Sequence, residues 1–156
     1  MLSVGYDAIY SRFLSKVQAY DLIEECSDDT ARELMDEWLL SIKSNPKVRK
    51  LFSSISVDAD DRILSFELKV ADSDEDSDID FVTELFGLGI AWKWIAPKYM
   101  SVLNTSQFFG GKEQQFFSQA NHMAQLEAMN KNAKIDFLRC IQEHGYINNS
   151  YLQEES

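Results

Sequence analysis

Apolar residues recur at spacings of three and four between Tyr6 and about Ile23, where Ile9, Tyr10, Phe13, Leu14 and Val17 share one face and predict an amphipathic helix. A second stripe, Ala31, Leu34, Met35, Trp38, Leu39 and Ile42, follows the polar run Ser27-Asp28-Asp29-Thr30. Thr30 and Glu33 stand at capping-box spacing. Asn45-Pro46 closes this second helix, because a proline disfavours helical geometry in the residue before it. Beyond a connector around Val48 to Phe52 the period changes to two. Ile55 and Val57 alternate with serines and Asp58, and Leu64, Phe66, Leu68 and Val70 alternate with Ser65, Glu67 and Lys69. Turn-forming Ala59 to Arg62 lies between the two runs and predicts a β-hairpin at about 53–70.

From Ile79 to Ile95 the apolar residues spread around more than one face, as a buried central helix requires. Gly87 and Gly89 cost that helix about 1 kcal/mol each relative to alanine, so close backbone packing against a neighbour is expected at them. Pro97 is expected to end it, with a polar connector through Asn104 to Ser106. A last helix is predicted from about Lys112 to Glu143, with Phe116, Ala120, Met123, Phe137 and Ile141 turned inward, a polar middle at Glu127 to Lys134, and Gly145 just past its end. The predicted fold is α+β, mainly α. About four helices carry one β-hairpin between the second and third, in a single domain over 1–145 with a tail at 146–156.

Charge and composition narrow the classes of function. The 156 residues carry 26 acidic and 15 basic side chains, a formal net charge of -11, which opposes binding to nucleic-acid phosphates. Such charge fits plain solubility, imitation of DNA, or the lining of a passage along which DNA slides. No run of about 20 apolar residues offers a membrane span, and Met1 to Asp7 lacks a basic and then apolar leader, so a soluble, untargeted chain is expected. Cys26 and Cys140 are too few for a disulfide framework and are read as thiols in a reducing compartment.

None of the patterns that carry chemistry is complete. Gly110-Gly111-Lys112 lacks the earlier glycine of a phosphate loop, and Glu113 stands where that loop needs Ser or Thr. In the run Ala71 to Asp78, Asp72, Asp74 and Asp76 alternate as in a calcium loop, but Ser77 and Thr83 occupy the glycine and glutamate positions of that register. The run is therefore expected to be a solvated, self-repelling loop whose end can cap the helix that follows. Cys140 and His144 share a helix face without a second ligand pair for zinc, and Ser118 with His122 lacks an orienting acid. No enzyme activity, cofactor or metal is expected. Adjacent aromatics are the excess: Trp92 and Trp94, Phe108 and Phe109, and Phe116 and Phe117 cannot all point inward on one helix, so either one member of each pair is an interface anchor or neighbouring elements bury both.

Four stretches carry a resemblance: Gly89 to Lys98 (GIAWKWIAPK), Asn104 to Glu113 (NTSQFFGGKE), Phe117 to His122 (FSQANH) and Gly145 to Leu152 (GYINNSYL). Together they resemble small structural proteins of tailed bacteriophages, similar in size and helical content to head–tail connector (neck or adaptor) proteins. The C-terminal half carries the likeness well and the N-terminal half loosely. The resemblance implies a homo-oligomeric ring, expected as a dodecamer, that sits in the virion after assembly in the host cytoplasm. Its partners would be the portal and other neck or tail proteins, with DNA passing transiently through it and no membrane involved. Candidate interface residues are then Trp92, Trp94, Phe108, Phe109, Phe116, Phe117, Tyr146 and Tyr151. Candidate acidic lumen or loop residues are Asp72, Asp74, Glu75, Asp76, Asp78 and Asp80. The alternatives are an acidic DNA-mimic inhibitor of the anti-restriction or anti-CRISPR type, and a general cytosolic interaction module. The mimic requires carboxylates spaced along a helical face, whereas here they crowd one segment.

Overall fold

The computed structural model describes the backbone of residues 1–17, 28–72, 74–108 and 113–147, and the side chains of 1–16, 30–72, 74–96, 124–125 and 127–144. The order of elements is β1 (Leu2–Gly5), α1 (Tyr6–Val17), α2 (Asp28–Lys43), α3 (Pro46–Arg49), β2 (Phe52–Asp58), β3 (Ile63–Leu68), α4 (Glu75–Phe108) and α5 (Glu113–Ile147). The fold is α+β and mainly α, with a small antiparallel sheet and a long C-terminal helix.

The predicted hairpin is present as β2 and β3, which pair antiparallel from Phe52↔Leu68 to Asp58↔Ile63 with a bulge between Phe52 and Ser54. A third strand was not foreseen. β1 pairs with the other edge of β3, Leu2↔Phe66 through Gly5↔Ile63, giving the order β1-β3-β2. Four residues with two apolar side chains are too short to show a period, and only the pairing with β3 defines the strand. As the central strand, β3 buries Leu64, Phe66 and Leu68, and Phe52 meets Phe66 edge-on with ring centres 6.0 Å apart.

The turn between β2 and β3 is clamped from two sides. Asp58 Oδ1 accepts from the main-chain N–H groups of Asp60 and Asp61, 3.0 and 3.1 Å away. Arg62 takes a positive φ of 56°, and its carbonyl accepts from Tyr6 N–H at 3.0 Å, satisfying an orphan donor at the start of α1. The Arg62 guanidinium forks onto Asp36 of α2 with both bonds at 3.0 Å and lies 5.0 Å from the centre of the Tyr6 ring. Tyr10 donates its hydroxyl to the same Asp36; burial, then that bond, pushes its phenol well above the ordinary value. One arginine thus ties the sheet to α1 and α2.

The helices cover the sheet. α4 is the centre: Val82, Leu85, Phe86, Ile90, Ala91, Trp94 and Ile95 are buried around its circumference, and it packs on α1, α2, α5 and β1. Its most extensive partner is α5, which runs antiparallel to it, with Phe81 against His144 at one level and Trp92 against Phe137 at another. α2 buries Ala31, Met35, Leu39 and Ile42 at the expected spacing. It begins at Asp28, however, so Thr30 lies inside the first turn rather than at the cap.

Three further boundaries differ from the sequence expectation. The connector after Asn45 contains the short α3, with Pro46 at its first position and Asn45 Oδ1 accepting from Lys47 N–H at 2.9 Å. α4 runs through Pro97 to Phe108 instead of stopping there. A proline removes one main-chain hydrogen bond, a local cost of about 3 kcal/mol, and the long packing of α4 along α5 outweighs it. α5 likewise continues through Gly145 to Ile147, so Tyr146 belongs to the helix and not to a tail.

Candidate functional site

The chemistry-bearing residues gather where the β3–α4 connector, the first turns of α4 and the last turns of α5 meet. The acidic run is not the free loop expected of it, because its second half, from Glu75, forms the first turns of α4. Negative charge is favourable there, beside the positive end of the helix dipole. The first half caps the helix: Asp74 Oδ1 accepts from Asp76 N–H at 3.1 Å. Asp72, Asp74, Glu75, Asp76 and Asp80 remain exposed. Asp78 does not. It is 3% exposed, and both its oxygens accept from Asp72 N–H, at 3.1 and 3.2 Å, so this member of the acidic set folds the connector onto α4 instead of facing solvent.

Beside this turn a row of ion pairs joins α1 to α4. Arg12 reaches Asp80 and Glu84 at 2.8 Å each, and Lys16 pairs with the same Glu84. Burial pushes the Glu84 carboxyl up, but hydrogen bonds from Lys16 and Arg12 outweigh it, and the group titrates below its ordinary value. An open cavity of about 460 Å³ lies between these charges and the C-terminal end of α5, where it meets Asp136, Arg139, Cys140 and His144. Burial first, then Glu84 and Glu143, pushes the Cys140 thiol up to about 12, so at neutral pH it holds its proton and supplies no thiolate. Among the described residues no three His, Cys, Asp or Glu side chains are grouped to hold a metal ion.

His144 is 8% exposed and stacks on Phe81 with ring centres 3.8 Å apart and planes at 12°. Burial lowers its pKa; the nearby Asp78 carboxylate, a hydrogen bond with the Val70 backbone and Asp72 oppose that shift without cancelling it. The unfolded chain therefore takes up this proton first as pH falls below about 6.5, and the folded state loses stability over the window beneath that value. We expect the urea midpoint to fall between pH 7.5 and pH 5.5, and His144→Gln to flatten that dependence. An unchanged pH slope in the variant would remove the assignment to His144.

The aromatic candidates divide. Trp94 was expected among the interface anchors, but it is 8% exposed and meets Phe13 edge-on at 6.1 Å in the core. Trp92 is half-buried, with Phe137 stacked on it at 5.8 Å and the ammonium groups of Lys93 and Lys134 at 5.3 and 5.9 Å from its ring centre. The cations around Trp92 were not singled out in the sequence, since Lys134 reaches the ring from a different helix. Phe108, Phe116, Phe117 and Tyr146 stand on α4 or α5 with side chains outside the described set, and Phe109 and Tyr151 lie outside the described residues. Ser118 and His122 are described in backbone alone.

The chain matches no protein-family model, no curated protein and no solved structure. Among the described residues no helix is long and apolar enough to cross a membrane.

Proposed function

We propose that this chain is a virion structural protein of the head–tail connector class of tailed bacteriophages. It assembles as a homo-oligomeric ring at the portal, with DNA passing transiently through the ring, and it is not an enzyme. The resemblance of 89–98, 104–113, 117–122 and 145–152 to that class supports the reading. The observation that carries it in three dimensions is the crowding of Asp72, Asp74, Glu75, Asp76 and Asp80 as exposed carboxylates at one end of α4. A block of like charge on one end of each subunit, repeated around a ring, gives a band that repels phosphate and keeps DNA from adhering. A DNA mimic needs carboxylates along an extended helical face. The described part of α5 instead interleaves Lys131, Lys134 and Arg139 with Glu127, Asp136 and Glu143, which favours the connector.

The test is mass by light scattering after size exclusion, for the protein alone and mixed with the portal protein of the same genome. The expected result is a species many times the 17.9 kDa of one chain, or a complex with the portal. A monomer under both conditions overturns the proposal.

A further inference from the structure

We infer that the patch formed by Trp92, Lys93, Lys131 and Lys134 is the surface on which a second copy of this chain docks Glu75 and Asp76, the first-turn carboxylates of its α4, while Asp72, Asp74 and Asp80 are left to the band that faces DNA. The inference rests on the ring reading above and names the two faces that would meet. Lys131 and Lys134 are exposed, Lys93 is half-buried, and two of the three ammonium groups border the half-buried Trp92 ring. None of the three lysines is ion-paired among the described residues. Across the described side chains of 86–96 and 127–137, these three lysines outnumber the two carboxylates, Glu127 and Asp136. On a chain of net charge -11 this is a local reversal of sign. A partly buried tryptophan ringed by cations is an anchor of the kind that interfaces favour, and its complement is an acidic surface.

This chain carries such a surface, out of reach of the patch in the same subunit. Asp76 and Lys93 are 17 positions apart on one helix, about 25 Å, and charge is screened beyond about 8 Å at physiological salt. The two patches therefore satisfy each other between copies and not within one. They are different surfaces of the subunit, so their contact is head-to-tail, the arrangement that closes into a ring.

Two double variants test the pairing. Lys93→Glu with Lys134→Glu reverses the patch, and Glu75→Lys with Asp76→Lys reverses the acidic end; neither Glu75 nor Asp76 is ion-paired among the described residues. Each variant alone is expected to weaken self-association at least about tenfold relative to the unaltered chain, measured by light scattering, with unchanged helical circular dichroism. Mixed in equal amounts they are expected to assemble again, because each now offers the charge that the other needs. Assembly of the Lys93→Glu/Lys134→Glu variant as strong as that of the unaltered chain, or no recovery on mixing, overturns this inference and leaves the ring reading standing. An unaltered chain that stays monomeric on its own overturns this inference, and one that also fails to bind the portal overturns the ring reading with it.

Discussion

Phe13→Ala is expected to lower the free energy of unfolding by about 3–5 kcal/mol and the thermal midpoint by roughly 10 °C. Phe13 is 0% exposed and its ring meets Trp38 and Trp94 edge-on, with centres 6.3 and 6.1 Å away and both planes at 71°. These three rings belong to α1, α2 and α4, so the truncation opens a cavity where three helices converge and removes both aromatic contacts. The two tryptophans cannot close that space without shifting the helices that carry them. Leu14→Ala is the control: Leu14 is its neighbour in sequence but half-buried, and about 1 kcal/mol is expected there. Circular dichroism melts measure both effects, and tryptophan emission should move to the red in Phe13→Ala as water reaches Trp94. A midpoint shift no greater than that of Leu14→Ala would show that Phe13 is not the joint of the three helices.

Where burial is periodic the sequence sufficed. The stripe Ala31, Met35, Leu39 and Ile42 and the alternation Leu64, Phe66, Leu68 are buried as their spacings require. The elements missed are those whose stability comes from elsewhere in the chain. β1 exists through pairing with β3, and α4 persists through Pro97 although the local rule ends a helix there. The acidic run is partly a loop for a related reason: seen alone its charges repel and predict a loop to Asp78, but from Glu75 they form the start of a helix and meet its dipole favourably, and the expected capping of that helix comes from Asp74.

The candidate surfaces were legible by residue type more than by place. Trp92 and Trp94 differ by two positions, about 200° around a helix, so one had to face away from the other. Which of them lay inward depended on Phe13 from α1 and Phe137 from α5. The lysines around Trp92 carry no mark in the sequence that separates them from other surface lysines. Lys93 is adjacent to the tryptophan in the chain, but Lys134 joins it only because α5 returns antiparallel along α4. Likewise Asp78 looks like any other member of its run until α4 turns it beneath the connector.

Gly89→Val is expected to destabilise the fold by about 3 kcal/mol, although glycine is the poorest ordinary residue for a helix interior. A Cβ at this position would lie 2.7 Å from Ile42 Cδ1, 2.8 Å from its Cγ1 and 3.1 Å from its Cγ2. Ile42 is 0% exposed on α2 and has no free space into which to turn. Alanine at 89 gains about 1 kcal/mol of helix propensity but meets the same three atoms, so a smaller net loss is expected for it. Gly87 is the comparison. There an added Cβ would lie 3.0 Å from Arg12 Cγ, 3.3 Å from Arg12 Cβ and 3.4 Å from the Phe13 main-chain nitrogen, looser than the approach at 89, so Gly87→Ala is expected to cost less than Gly89→Ala. The steric account makes a further demand. Ile42→Ala removes all three clashing atoms and by itself costs about 2–5 kcal/mol, yet combined with Gly89→Val it should cost at least about 1 kcal/mol less than the two separate losses together. Urea denaturation of the four proteins in this cycle measures the coupling. Strict additivity would mean that α2 and α4 are not in contact at this point, and the close approach that explains the glycine would have to be given up.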